Sequence, residues 1–186
     1  MTTKPSKREH DFTLVLTGLS ELSTESIDAL YAAGCDDATL AVRCGRVFAT
    51  FSRSAESLKD AIVSAVLCVR RAGIGADVLR VDHSNLVTQA DIARRIGRSR
   101  QLVHQYMTGN RGPGGFPGPV CEVADDTWLW QWCEVAYWLW QNEMIKEDVL
   151  REAEEVGTIN SALEMEWQKK TRRDLTESVI RAISST

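Results

Sequence analysis

The spacing of apolar residues changes several times along the first half of the chain. In several segments apolar residues lie two apart, a period that predicts β-strands. The clearest are 12–16, 40–42 and 47–51, and the apolar residues of 76–81 predict a further strand. Between them, apolar residues recur every three or four positions and predict two helices, 23–33 with Ile27, Leu30 and Tyr31 inward and 54–73 with Ser54 as N-cap. Cys44 and Gly45 predict a tight turn between two of the strands.

The order of these predicted elements is βαββαβ. This is the ferredoxin-like arrangement, in which both helices cover one side of an antiparallel sheet. The other side of the sheet is expected to carry Thr13, Val15, Thr17, Arg43, Phe48, Thr50, Val78 and Arg80. Phe48 is the only aromatic residue there, so dimerisation or a protein partner is favoured over RNA. A small-molecule sensor is a further alternative, although no ligand motif is present.

A second pattern begins at residue 88, where small, apolar and turn-forming residues follow the spacing of two short, closely crossed helices. Thr88 can cap the first helix, and Asp91 completes a capping box. Gly97 permits the sharp turn, and Ser99 can cap the second helix. The residues expected between the helices are Ile92, Ala93 and Ile96. The stretch 88–109 therefore predicts a helix-turn-helix.

The second of these helices has an apolar and a polar side. Its inward positions are Leu102, Val103 and Tyr106, and its outward positions are Arg100, Gln101, His104 and Gln105. Arginine can contact guanine, and glutamine can contact adenine, through paired hydrogen bonds in the major groove. The outward side therefore has the chemistry of a recognition helix. The alternative is a packed helical hairpin with a solvated basic side.

The residues after this helix pair contain a distinctive motif. The stretch NRGPGGFPGPV is too rich in glycine and proline for a helix or a central strand. A hairpin with strands at 121–123 and 128–130 and a helix from about Trp132 are predicted next. The motif GFPGPV is followed by Trp130, Glu134, Val135, Trp138 and Leu139. Over residues 86–140 the chain resembles the winged helix-turn-helix DNA-binding domains of AlpA-type prophage regulators, excisionases and the MerR group.

This resemblance implies DNA binding, with the second helix in the major groove and the wing against the backbone or minor groove. It makes the four outward residues Arg100, Gln101, His104 and Gln105 candidates for reading bases, with a solvated spacer as the alternative for His104. Candidates for contact with the DNA backbone are Thr88, Arg94, Arg95, Arg98, Ser99 and Arg111. Arg98 departs from the family pattern, because an apolar residue is usual there. The expected core tryptophans are Trp128, Trp130, Trp132 and Trp138.

The distribution of charge supports this assignment more than the total charge does. The formal net charge is −4, which argues against indiscriminate coating of nucleic acid. Residues 84–118 nevertheless carry a net charge of +4, between −1 for residues 1–83 and −7 for residues 119–186. A positive segment between acidic ends suits a protein that contacts DNA through one face.

Beyond residue 140, apolar residues continue at helical spacing on one side only. Gly157 is expected to break this segment, with Thr158 and Asn160 as candidate caps of the following helix. A one-sided helix needs a cover, either from the same chain or from the same segment of a second subunit. We favour the second subunit, and therefore a homodimer.

Other classes of function lack a signature in this sequence. The five cysteines form no CxxC pair and no cluster with histidines, so no metal site or other cofactor is predicted. No phosphate-binding loop or recognisable nucleophile predicts a catalytic site. The polar start of the chain and the absence of a run of about 18 apolar residues lead us to expect a cytoplasmic protein without a membrane partner.

The sequence thus predicts an α+β protein in four parts. They are a disordered start at 1–9, a ferredoxin-like domain for dimerisation or partner binding at 10–83, a winged helix-turn-helix at 84–140 and C-terminal helices at 141–186. We expect a non-enzymatic transcriptional regulator of bacterial or phage type that reads double-stranded DNA through 99–108, with a wing at 112–130. The alternative is a protein-interaction module, antitoxin-like or a phage accessory protein, whose DNA binding serves autoregulation. Architectural DNA bending is a third hypothesis.

Overall fold

The computed structural model describes residues 7–83, 85–124 and 127–185. Over these residues the protein is mixed α+β, with seven helices and two antiparallel sheets. The chain divides into two compact units. Unit 1 comprises Met1–His83 and Thr158–Thr186, and unit 2 comprises Ser84–Gly157. Of the start that the sequence predicts to be disordered, residues 1–6 lie outside the described ranges, and Arg8 and Glu9 belong to the first strand.

Unit 1 begins with strands and helices in the order βαββαβ. They are β1 (Arg8–Thr17), α1 (Thr24–Ala32), β2 (Ala38–Arg43), β3 (Arg46–Ala55), α2 (Leu58–Arg71) and β4 (Asp77–Val81). The strands form one sheet in the order β2-β3-β1-β4, and each neighbouring pair is antiparallel. Leu14 of β1 lies opposite Ala49 of β3 and Val81 of β4, which places these three side chains on one side of the sheet.

Local chemistry accounts for the ends of several elements. Cys44 and Gly45 both have positive φ, 49° and 72°, as expected for a two-residue hairpin turn whose twist matches the flanking strands. The predicted N-cap of the second helix is wrong: β3 continues through Ser54, and Ser57 caps α2 by accepting a hydrogen bond from the Asp60 amide at 3.1 Å.

The core of unit 1 lies between the sheet and its two helices. Its fully buried side chains include Leu14, Leu16, Leu30, Val47, Phe51, Ile62 and Val69. The prediction that Ile27 and Tyr31 face inward is wrong, because they are 42% and 66% exposed. Only Ser26 and Leu30 of α1 are buried, so this short helix contacts the sheet along a narrow stripe.

The other side of the sheet is less open than the sequence predicts. Val15 is only 7% exposed. Thr17, which lies on the same side of β1, lines a cleft of about 420 Å³ together with Leu163 and Trp167. Val78 is buried on the opposite side, because a β-bulge shifts the register and places it across from Leu16.

Leu163 and Trp167 belong to α6 (Glu147–Thr171), a helix that continues through Gly157. The predicted break at Gly157 is therefore wrong. Asn160, a predicted cap, is instead buried, and its amide accepts a hydrogen bond from the Val81 amide at 2.8 Å and donates to the Val81 carbonyl at 3.3 Å. Because β4 is an edge strand, the Asn160 amide occupies the place of a neighbouring strand. A glycine inside a helix costs about 1 kcal/mol, which these buried contacts can offset.

The end of α6 is also tied to the sheet by charge. Asp77 accepts hydrogen bonds from Arg70 at 2.9 Å and from Lys170 at 3.1 Å, and Arg70 contacts Glu166 at 2.6 Å. Burial alone would raise the pKa of Asp77, but hydrogen bonds from Arg70, the Val78 amide and Lys170 outweigh burial and lower this pKa. A kink at Arg172 separates α6 from α7 (Arg173–Ile183).

Unit 2 is built around a smaller sheet. Its elements are β5 (Leu86–Val87), α3 (Gln89–Arg95), α4 (Arg100–Met107), β6 (Cys121–Ala124), β7 (Thr127–Gln131), α5 (Trp132–Gln141) and the beginning of α6. The strands are antiparallel in the order β5-β7-β6. Of the turn predicted at 124–127, Ala124 ends β6 and Thr127 begins β7, and residues 125–126 lie outside the described residues. No helix in the described part of the chain is long and apolar enough to cross a membrane.

We expect Asn160→Ala to lower the free energy of unfolding of unit 1 by roughly 2 kcal/mol, because the buried Val81 amide and carbonyl lose their partner. Urea denaturation would measure the loss, and faster hydrogen exchange at the Val81 amide would locate it. Thr158→Ala is the control, because an exposed position inside a continuous helix tolerates alanine. A comparable loss in Thr158→Ala would indicate a helix start at that residue and contradict the continuous α6.

Candidate functional site

The helix pair α3 and α4 is fixed by hydrogen bonds at each of its ends. The Thr88 hydroxyl oxygen accepts from the Asp91 amide at 3.2 Å, and an Asp91 carboxylate oxygen accepts from the Thr88 amide at 3.0 Å, which together form the predicted capping box. The Thr88 hydroxyl also donates to the Asp91 carboxylate at 2.7 Å, and this bond and the one from the Thr88 amide outweigh partial burial and lower the pKa of Asp91. The start of α3 is therefore set by its own sequence.

The turn between the helices has the geometry that Gly97 predicts. Gly97 has φ +62°, its amide donates to the Arg94 carbonyl at 3.3 Å, and the Arg98 amide donates to the Ala93 carbonyl at 2.9 Å. This pair of bonds is a Schellman motif, which ends α3 sharply. The Gln89 side chain then donates to the Arg100 carbonyl at 2.7 Å and links α3 directly to α4.

The two sides of α4 differ as the sequence predicts at most positions. Ser99 caps the helix by accepting from the Leu102 amide at 3.2 Å, and Val103 is fully buried. Leu102 and Tyr106 are half-buried. Of the four candidates for reading bases, Arg100, Gln101 and His104 are exposed, whereas Gln105 is half-buried. The exposed side of α4 therefore presents guanidinium, amide and imidazole groups beside one another.

The candidates for contact with the DNA backbone fall into three groups. Arg98 and Arg111 are exposed, and Arg94 has a side chain 77% exposed with an ion pair to Asp91 at 2.6 Å. The hydroxyl groups of Thr88 and Ser99 take part in the helix caps described above.

Arg95 forms the third group, and its position differs from the predicted role in phosphate contact. Its guanidinium carbon lies 4.7 Å from the centre of the Trp132 ring, a cation–π geometry. Burial lowers the pKa of Arg95, although a guanidinium stays protonated at neutral pH. No local sequence pattern predicts this contact, because Arg95 and Trp132 are far apart along the chain.

The glycine- and proline-rich loop is held by two tryptophans. The Trp130 indole N–H donates to the Pro117 carbonyl at 3.1 Å, and the Trp138 indole N–H donates to the Gly114 carbonyl at 2.9 Å. The Trp138 ring also lies against Phe116 of the loop, with ring centroids 5.0 Å apart, and against Tyr106 of α4, at 5.4 Å. The loop and α4 are thus packed on the same side chain.

The predicted tryptophan core is correct at three of its four positions. Trp130, Trp132 and Trp138 are 3–6% exposed and share a core with Val87, Ile92 and Val103, among others. The prediction for Trp128 is wrong, because this side chain is 41% exposed near the turn of the hairpin. Strand β5 is not predicted by the sequence, because its two residues, which pair with β7, are too few to show an alternation of apolar and polar positions.

Neither a metal-binding cluster nor a disulfide is present within the described residues, 7–83, 85–124 and 127–185. No group of three or more His, Cys, Asp or Glu residues within those ranges could hold a metal ion. All five cysteines carry free thiols. Unit 2 presents an exposed polar surface on α4, with one exposed arginine in the turn before this helix and another in the loop after it.

We expect Arg95→Ala to destabilise unit 2 by roughly 1–2 kcal/mol, because it removes the cation–π contact and the packed side-chain stem. Tryptophan fluorescence during urea denaturation would report this, since five of the six tryptophans lie in unit 2. Arg94→Ala is the control, which we expect to change stability by less than about 0.5 kcal/mol, because its side chain is exposed. Equal effects of the two variants would contradict the structural role of Arg95.

Comparison with known proteins gives no match to this chain among protein family models, curated proteins or solved structures.

Proposed function

We propose that this protein is a sequence-specific, double-stranded DNA-binding transcriptional regulator. In this proposal unit 2 is a winged helix-turn-helix domain, with α4 as the recognition helix and the hairpin β6–β7 as the wing. Unit 1 contains a ferredoxin-like sheet and helices that set the oligomeric state. The proposal for unit 1 is supported by its strand order, β2-β3-β1-β4.

The observation that carries the proposal is the division of α4 into two sides. Val103 is fully buried against the core of unit 2, so the helix cannot rotate without exposing it. Arg100, Gln101 and His104 are thereby held in solvent. Arginine and glutamine are the side chains that make paired hydrogen bonds to guanine and adenine in the major groove.

The exposed arginines around α4 support the same proposal. Arg98 lies in the turn before the helix and Arg111 in the loop after it, and both side chains are exposed. Cations on each side of a recognition helix suit contacts with phosphates, which fix the register of a protein on DNA without reading bases. Arg95 is left out of this group because its guanidinium packs on Trp132.

A second function, the protein-interaction module, is favoured by a different surface. Helices α1 and α2 of unit 1 have exposed apolar residues, and such residues are common in protein interfaces. They are Ile27, Tyr31, Val63 and Leu67, each between 42% and 66% exposed. In this alternative the protein binds another protein through α1 and α2, and its DNA binding serves autoregulation.

Selection of genomic fragments from the source organism by the purified full chain, followed by sequencing, tests the proposal. We expect enrichment of one short motif at several loci. Enrichment of only the region upstream of the protein's own coding sequence would favour the second function. Absence of any enriched motif at physiological salt would contradict sequence-specific binding.

We expect Arg100→Ala and Gln101→Ala each to weaken binding to the selected site by roughly 1–3 kcal/mol and to relax preference at one or two base pairs. Titration of fluorescent duplexes carrying single-base changes would measure both effects. Arg151→Ala is the matched control, because it removes an exposed positive charge from α6 within the same unit. Unchanged base preference in both variants would show that α4 is not the recognition helix.

We expect Arg98→Ala and Arg111→Ala to weaken binding to all duplexes alike, because a phosphate contact is independent of sequence. The slope of log K against log salt concentration should fall by about 1 for each variant, through the loss of one released counterion. Affinity measured over a range of salt concentrations checks this result. A changed base preference with an unchanged slope would show that these arginines contact bases and not phosphates.

A further inference from the structure

Helix α7 differs from the other helices because it is amphipathic and yet has no buried residue. Leu175, Val179 and Ile183 follow one another at steps of four residues and form one stripe, with Ile180 beside it. Their exposed fractions are 61%, 45%, 74% and 37%. We call these four residues the α7 stripe.

Two side-chain contacts support the first turn of α7. The Arg173 guanidinium lies 2.9 Å from the Glu177 carboxylate, and the Thr176 hydroxyl donates to the Gln168 carbonyl at 3.2 Å. A helix of this length is marginal in water without packing, because helix nucleation is costly and most helical stability in proteins comes from a covered apolar face. The apolar side chains of the α7 stripe therefore need a surface to pack against.

The sequence of the stripe is self-complementary in an antiparallel pairing. A two-fold axis at Val179 places Leu175 of one copy opposite Ile183 of the other and Val179 opposite itself. The same axis pairs Thr176 with Ala182, so small residues also meet small residues. An isologous interface requires such matching of one surface with itself.

Charge favours the antiparallel orientation over the parallel one. Arg172 and Arg173 lie at the start of α7, and the helix ends at Ser184. In an antiparallel pair, these arginines of each copy lie near the end of the other helix, whose free carbonyls carry the negative end of the helix dipole. A parallel pair would place the arginines of both copies together.

The net charge of α7 also argues for a second copy over other partners. Arg173 and Arg181 balance Asp174 and Glu177, so the residues of the helix have no net charge. An amphipathic helix that binds an anionic membrane surface is rich in lysine or arginine on its polar side. A neutral helix has no such attraction and does not repel its own copy.

We propose that α7 forms a homodimer interface, as an antiparallel helix pair centred on Val179. The helix is about 16 Å long at 1.5 Å per residue, so the pair buries less than the roughly 1,000 Å² of a stable interface. We therefore expect a weak dimer. If the proposed function holds, two half-sites on one duplex raise the effective concentration and strengthen the pair.

Sedimentation equilibrium of the full chain over a range of concentrations, without DNA, tests this proposal. We expect a monomer–dimer equilibrium, and a dissociation constant raised at least about 100-fold in Val179→Glu, because two carboxylates then face each other across the axis. Arg181→Gln is the control, since it changes the net charge equally on the opposite side of the helix and should leave the equilibrium unchanged. Circular dichroism should show that both variants keep the fold outside α7, because no residue of α7 is buried.

The register is tested with Leu175→Lys and Ile183→Glu. Each single variant should weaken the dimer, and the double variant should regain it, because an antiparallel pair places the introduced lysine of one copy opposite the introduced glutamate of the other. Failure of the double variant to regain the dimer would overturn the antiparallel register.

Three other results would overturn the proposal itself. They are a monomer at every concentration, a dimer that Val179→Glu does not weaken, and binding to phosphatidylglycerol vesicles that Val179→Glu abolishes. These measurements need no DNA, so their outcome is separate from that of the DNA selection.

Discussion

The Trp138 indole is the contact on which the exposed surface of unit 2 depends. Its N–H donates to the Gly114 carbonyl at 2.9 Å, while its ring packs against Phe116 and against Tyr106 of α4. In this loop the prolines lack an amide donor and the glycines have much conformational freedom, so contacts with side chains outside the loop help to order it. Together with Trp130, which donates to the Pro117 carbonyl, Trp138 orders the loop, and it also packs on α4, which presents Arg100 and Gln101 to solvent.

The arginines near α4 differ in their surroundings: one packs against the core of unit 2 and others are exposed. Arg95 packs its guanidinium on Trp132, whereas Arg98 and Arg111 extend into water and form no part of the core. A half-buried guanidinium over an aromatic ring contributes to packing and is less available to a phosphate than an exposed one. The exposed arginines contribute little to stability and are free to contact a polyanion. In our proposal, DNA affinity therefore depends on the second group.

In unit 1 the buried side-chain amide of Asn160 hydrogen-bonds the edge of the sheet. Asn160 hydrogen-bonds the backbone of Val81 on the edge strand β4, and the ion pairs of Asp77 hold the end of the same helix. The edge of β4 at Val81 is thus covered within the unit. The apolar stripe of α7 is not covered in the same way, and we infer that a second copy covers it.

The sequence by itself determined the local features of this protein, because each depends on residues that are near neighbours in the chain. The capping box of Thr88, the turn at Gly97 and the hairpin at Cys44 follow from hydrogen bonds and backbone preferences within a few residues. Tertiary structure decided the features that depend on distant partners. Helix α6 continues through Gly157, where Asn160 hydrogen-bonds Val81, and Arg95 is half-buried because its guanidinium packs on Trp132. Such contacts join residues far apart in sequence, and no local pattern encodes them.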